Sequence, residues 1–328
     1  WLEQFCAKRL QFFGWSYLAM FIWNVATTWW IVNSTVPGAI AAILANSFLM
    51  CIPWIGFYNV KKRMGEKAGY IALIFFWLTF EYIHLNWDLS WPWLTLGNVF
   101  AMHPGWVLWY QYSGKSGGTA WILLINIGIV HLLKQKIKSS LFNFQYLLLV
   151  AIILILPFLC SYLLSIQKII STNTAEVVVV QPDVDPWDEK FVAGKQEIQL
   201  QKLLRLSASQ MDSATSLVVW PETAIPVDIN EDSIHTNFFM QPVWNFLQQH
   251  PGVNLLTGME GFRFLDEQHK TTFSQKIPNT SIYFDSYNSA VLLNNQGIRV
   301  YHKSKLVPGV ETLPFFLHFL YSWFEKFG

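Results

Sequence analysis

The chain has 328 residues, of which 53% are hydrophobic, 17% aromatic and only 13% charged. Soluble domains carry about 25% charged residues, so this composition excludes an ordinary soluble protein. The net charge of +1 conceals a division: residues 1–170 hold 11 Lys+Arg against 4 Asp+Glu, and residues 171–328 hold 11 against 17. A basic, apolar part precedes an acidic, mixed part. No basic tract with interleaved aromatics marks a nucleic-acid surface.

The chain opens "WLEQFCAKRL", with neither an initiator Met nor a signal-peptide pattern, and reads as a fragment at this end. Five apolar stretches follow, at about 11–32, 36–58, 68–85, 119–133 and 146–166. A membrane-spanning helix needs ~20 apolar residues; the fourth stretch is short and extends back into the Gly-rich segment before it. The last, "YLLLVAIILILPFLCSYLLSI", contains no charge. Buried helices of a soluble core would not carry so few charges over five segments, so about five transmembrane helices are expected within residues 1–170.

Loop charges orient them. Lys8, Arg9, Lys61, Lys62, Arg63, Lys67, Lys134, Lys136 and Lys138 fall on one set of alternating loops, and only Lys115 on the other. The positive-inside rule places the basic loops in the cytoplasm. Five crossings then put residues 171–328 on the opposite side. The loop "NWDLSWPWLTLGNVFAMHPGWVLWYQYSGKSGG" (86–118) holds Trp87, Trp91, Trp93, Trp106 and Trp109. Two readings stand for it: a loop dipping into the outer leaflet, or a simple aromatic belt at the interface.

The three cysteines, Cys6, Cys51 and Cys160, all lie in the apolar part. With no CxxC and no Cys/His cluster, neither a zinc site nor a disulfide framework is expected. "EYIH" places Glu81 and His84 at helical i, i+3 spacing. A di-metal bundle needs a second such motif, and none occurs. No metal and no cofactor are expected. Glu81 is either a functional carboxylate beside a span or the polar end of its helix. "GKSGG" (114–118) fits G-x-S-x-G, but no strand precedes it, which excludes Ser116 as an elbow nucleophile.

After residue 171 the periodicity changes. "AEVVVVQPD", "SLVVW" and "VNLLTGME" read as strands, and "SIYFDSYNSAVLLNNQGIRVYHKSKL" as strands around an Asn-Gln-Gly turn. "KQEIQLQKLLRLSASQMD" and "TNFFMQPVWNFLQQH" read as helices. Apolar strands alternating with helices predict an α/β domain over 171–328.

Glu222 stands two residues past the strand "SLVVW", behind Pro221. Sites in α/β sheets form beyond the carboxyl ends of strands. Desolvation there would raise the Glu222 pKa toward that of a general base; the alternative is a carboxylate that caps the next turn. In "VYHKSKLVPGVE", strand alternation puts Tyr301, Lys303 and Lys305 on one face and His302 on the other. Beside a buried Glu, Lys303 would stabilise an oxyanion; taken alone, the pattern reads as two solvated lysines. His302 reads as a satisfied edge residue.

These stretches resemble a known family. "NVATTWWI", "WPWLTLGN", "VQPDVDPWDEKF", "VVWPETAIP", "LLTGMEG", "YNSAVLL" and "YHKSKLVPGVE" are similar to segments of apolipoprotein N-acyltransferases, bacterial membrane enzymes of the nitrilase superfamily. The resemblance implies a multi-pass inner-membrane domain joined to a periplasmic α/β nitrilase-like (αββα sandwich) domain, as a monomer. It implies acyl transfer from a membrane phospholipid to the N-terminal amine of a diacylglyceryl-Cys lipoprotein, through a Cys thioester. By motif, Glu222 corresponds to the general base, Lys303 to the oxyanion-stabilising lysine and Glu311 to a supporting acid. Trp187 corresponds to an aromatic at the substrate entrance and Asn288 to a polar residue close to the triad. The family's nucleophilic Cys follows the Lys motif by some tens of residues. Residues 171–328 contain no Cys, so the nucleophile is expected beyond Gly328, and the 328-residue chain alone is expected to be inactive. Two alternatives stand beside this: a membrane-tethered nitrilase-type amide hydrolase, and a non-catalytic lipoprotein-binding scaffold.

Overall fold

The computed structural model describes all residues except 1, 35, 140–142, 167–173, 186–188, 191, 272–273, 308–310 and 312–328. The chain divides into two compact units: Trp1–Ile169 with Val307–Gly328, and Ile170–Leu306.

The first unit is helical: α1 (Arg9–Thr28), α2 (Val36–Leu49), α3 (Cys51–Met64), α4 (Glu66–His84), α5 (Tyr110–Ser139) and α6 (Phe144–Ile166). Each of the five apolar stretches is helical. Among the described residues, three helical segments are long and apolar enough to cross a membrane by length and composition: Val36–Met64, Tyr110–Ile137 and Phe144–Ile166. The first is the abutting pair α2–α3. Pro53, lacking an N–H, cannot bond the Leu49 carbonyl, and the helix breaks at Met50. Helix α5 does reach back into the Gly-rich segment, with a break at Gly114 (φ 63°, ψ −178°).

These helices bury narrow stripes and expose wide apolar faces. On α1 the buried residues are Phe12, Ser16, Met20, Asn24 and Thr28, one every fourth position along one face. Trp15, Leu18, Ile22 and Val25 of the same helix are exposed. On α4 the stripe is Gly69, Leu73, Trp77, Glu81 and His84. Polar groups inside and hydrocarbon outside is the pattern required of a lipid-facing bundle. The polar stripe is hydrogen-bonded where it meets the Trp-rich loop. Glu81 accepts from Trp77 Nε1 at 3.0 Å, from the Leu96 amide at 2.8 Å and from Thr119 Oγ1 at 2.8 Å. Its carboxylate therefore ties the loop to α4 and α5. Trp91 and Trp93 pack edge to face within that loop, and Trp93 against Trp30 of the 3-10 turn after α1, with centroids 5.0 and 5.6 Å apart.

Among the described residues, the second unit is a mixed seven-stranded sheet with two α-helices. Its elements are β1 (Glu176–Val179), α7 (Gln196–Gln210), β2 (Thr215–Val219), β3 (Ile225–Asn230), α8 (Gln241–Gln249), β4 (Asn254–Leu265), β5 (Gln275–Lys276), β6 (Tyr283–Asn294) and β7 (Gly297–His302). Strands β1, β2 and β4 run parallel; β6 is antiparallel to β4, and β5 and β7 pair with β6. The β6–β7 turn is held by the Asn294 side chain, which accepts from the Gln296 and Gly297 amides. Leu200 and Leu203 of α7, Val243 and Leu247 of α8 and Val218, Ile229, Leu255, Val291 and Leu293 of the strands form one core. The face of the sheet that carries Val218 and Leu255 is thus buried under α7 and α8, while Val177 and Val179 of β1 are exposed on the other.

Strand β4 sets the position of the site. Its first part pairs with β2 (Val219 opposite Leu256) and its later part with β3 (Ile225 opposite Met259). Strands β2 and β3 are therefore one interrupted strand along the same edge of β4. Residues 220–224 bulge out between them, opposite residues 257–258.

Candidate active site

Glu222 sits in that bulge. The Trp220 amide still bonds the Leu256 carbonyl at 2.8 Å, and the Gly258 amide bonds the Pro221 carbonyl at 3.1 Å. The chain lies so close to β4 that a Cβ at position 258 would stand 2.5 Å from the Thr223 nitrogen and 2.6 Å from the Glu222 Cα. Only glycine fits. Thr223 completes the bend with φ 46°, an αL value uncommon for a β-branched residue. Its hydroxyl receives a short hydrogen bond from Lys190 Nζ.

Lys303 and Asn288 reach Glu222 from the far side of β4. They are held together by the Lys303 amide, which donates to the Asn288 carbonyl at 2.8 Å, just past the end of β7. Lys303 Nζ lies 2.8 Å from Glu222 Oε1, and Asn288 Nδ2 donates to the same oxygen at 2.6 Å. Both bonds fall on Oε1. A carboxylate offers about four lone-pair sites, so Oε2 retains capacity to take a proton. The three side chains open into a cavity of about 360 Å³, whose walls include Trp220, Thr257 and Tyr301. That volume is in the range of small-molecule pockets.

The environment of Glu222 differs from the expectation of a desolvated acid. Its side chain is 60% exposed. Hydrogen bonds from Lys303 and then Asn288 hold its carboxyl below the ordinary carboxylate range, against the opposing effect of burial. Donors to the ionised form outweigh desolvation here. Glu222 is thus a carboxylate at neutral pH because it is paired.

The other expected residues fall as follows. Glu311 belongs to the helical unit, where its carboxylate accepts from the Val307 amide at 2.7 Å and closes a turn. Trp187 lies outside the described residues. His302 is satisfied, 2.9 Å from Glu231 Oε2. Cys6 and Cys51 are buried and Cys160 half-buried, all in the helical unit. Among the described residues no cluster of His, Cys, Asp and Glu could hold a metal ion. Lys190 and Tyr301 lie within motifs read from the sequence, but nothing in their spacing assigned them to the Glu222 turn and its cavity.

Residues 1–128 match the family model for the apolipoprotein N-acyltransferase N-terminal domain. The chain is similar to apolipoprotein N-acyltransferases. It is 28% identical to the apolipoprotein N-acyltransferase of Chlorobaculum tepidum over 333 residues, which cover 96% of this chain and 58% of that protein. It is 22% identical to that of Pseudomonas syringae pv. tomato over 332 residues, 95% of this chain and 59% of that protein. The chain thus spans a little under three fifths of the length of these N-acyltransferases. At 95–96% of the chain, the matched stretch takes in residues of both units.

Proposed function

We propose that this chain is the membrane part and most of the catalytic part of an apolipoprotein N-acyltransferase. It would move an acyl chain from a membrane phospholipid to the N-terminal amine of a diacylglyceryl-Cys lipoprotein. The observation that carries this reading is the Glu222–Lys303 pair, 2.8 Å apart and joined by Asn288, at the mouth of a cavity. A thiol has a pKa of ~8.5 and needs a base at neutral pH. We place that thiol in sequence following Gly328. The absence of Cys from 171–328 and the greater length of the relatives support this.

In the first half-reaction, Glu222 takes the thiol proton and the thiolate attacks the phospholipid ester carbonyl. The oxyanion forms against Lys303, a cation held in place by Glu222. The ester C–O bond breaks, the departing alkoxide takes the proton back from Glu222, and a thioester remains. In the second half-reaction the lipoprotein amine attacks the thioester carbonyl and gives a proton to Glu222. The C–S bond breaks, the amide forms, and the proton returns to the sulfur. Glu311 and Trp187 are assigned supporting and entrance roles by motif alone. About five spans hold the chain in a bacterial inner membrane, with the sheet unit (a nitrilase-like αββα sandwich when complete) on the periplasmic side. The protein acts as a monomer without cofactor.

The test is product analysis. A protein extended past Gly328 is incubated with phospholipid and a diacylated lipopeptide. N-acylated peptide supports the proposal. Free fatty acid alone would favour an amide or ester hydrolase, and no product from an otherwise folded protein would favour a binding scaffold.

A further inference from the structure

On the opposite face of the sheet from Lys303 lies a second polar cluster, centred on Glu231. This residue follows β3 in a single 3-10 turn, Glu231–Ser233, and its side chain is wholly buried. Arg263 Nε donates to Oε2 at 2.9 Å and Ser289 Oγ to Oε1 at 2.8 Å. His302 Nε2 lies 2.9 Å from Oε2 and 3.1 Å from Oε1, so this nitrogen carries a hydrogen. A Cβ at Gly261 would stand 2.5 Å from Oε1, so β4 lacks a side chain where the carboxylate enters. The His302 ring is stacked on Tyr287 with centroids 3.9 Å apart. One carboxylate therefore joins the end of β3 to β4, β6 and β7.

The register gives this cluster its consequence. Ser289 and His302 are cross-strand partners, and the next pair along is Asn288 with Lys303. Successive residues face opposite sides of a sheet, so Asn288 and Lys303 point toward Glu222 because Ser289 and His302 point toward Glu231. A one-residue slip would exchange the two faces. The β6–β7 ladder runs from Asn294–Gly297 at the turn to Ser289–His302, and Lys303 lies one residue past its end, so the Glu231 cluster holds the last ladder pair before the site.

We infer that Glu231 is a positioning residue: its buried carboxylate locks the Ser289–His302 pair and thereby presents Asn288 and Lys303 to Glu222. The inference rests on the reading of Glu222 and Lys303 as the reacting pair. It is tested without substrate. Lysines of the purified chain in detergent are labelled by reductive ¹³C-methylation, and the Lys303 resonance is assigned by its loss in Lys303→Arg. Glu222→Gln supplies the displacement that marks a broken pair. Glu231→Ala is expected to displace the Lys303 resonance as far as Glu222→Gln does, and Ser289→Ala to displace it less. Glu231→Gln is expected to restore the native resonance, because its oxygen accepts from Arg263 and His302 while its amide donates to Ser289. An unmoved resonance in Glu231→Ala, or equal displacement in the Ala and Gln variants, overturns the inference. If Glu231→Ala does not fold, Ser289→Ala and His302→Gln decide: displacement in both supports it, and none in either overturns it. A Lys303 resonance indifferent to Glu222→Gln would instead overturn the underlying pair.

Discussion

At the scale of residues, Glu222 differs from an ordinary exposed acid by the two donors on its Oε1. Replacing it by Gln keeps the shape and removes the base. Loss of acyl transfer by about 10²–10⁴-fold is expected, the usual worth of a positioned general base, with the protein still recovered in the membrane fraction. Lys303 enters twice, as oxyanion partner and as the main cause of the lowered Glu222 pKa. Lys303→Ala should reduce transfer by about 10²–10³-fold. It should also move the acid limb of the residual pH–rate profile upward, toward the ordinary carboxylate value. The sign follows from linkage: a carboxyl whose pKa is depressed in the folded state favours folding above its unfolded pKa and loses that contribution as pH falls through the depressed value. An acid limb that stays in place in Lys303→Ala would contradict the pairing. The positions of Glu222 and Lys303 were legible in the sequence because each follows an apolar strand. Their pairing was legible only through the family resemblance, because strands remote in sequence bring them together. The ionisation of Glu222 was misread for the same reason: the donors Lys303 and Asn288 are 81 and 66 residues away.

At the scale of elements, the site depends on an interrupted strand. Strand β4 accepts β2 and then β3 on one edge, and the residues between them carry Glu222 outward. Gly258 makes that approach possible. Gly258→Ala should destabilise the sheet unit by about 1–3 kcal/mol, as overpacking does. Gly252→Ala, where an added Cβ meets nothing within 4 Å, should be close to neutral. Thermal unfolding of the two variants in detergent compares them directly, and equal midpoints would remove Gly258 from the argument. Strands β1, β2, β4, β6 and β7 and helices α7 and α8 follow from apolar periodicity. Strand β3 does not: "IPVDIN" contains Pro226 and an Asp and pairs on one side only, with β4. Edge strands tolerate such residues, and periodicity alone does not reveal them. The role of Glu81 was half legible. Its place beside a span marked it, while its three donors, one of them the Leu96 amide of the Trp-rich loop, depend on tertiary packing.

At the scale of the whole molecule, the charge division between the two parts of the chain matches the division into a helical and a sheet unit. The proposed topology assigns opposite sides of the membrane to the basic loops and the sheet unit. Single cysteines placed at Lys67 and at Lys195, in a chain freed of its native cysteines, should report this. An impermeant maleimide applied to spheroplasts should label position 195 and leave position 67 unlabelled until the membrane is opened. The reverse pattern would invert the topology. The central claim concerns chemistry and is tested most directly by trapping the acyl-enzyme. A protein extended past Gly328 is mixed with phospholipid carrying a labelled acyl chain, quenched in acid, and assayed for label on the protein that hydroxylamine removes. The account predicts a hydroxylamine-labile acyl group on the unsubstituted protein and its loss in Glu222→Gln; undiminished acylation of Glu222→Gln, or none in the active unsubstituted protein, would contradict it.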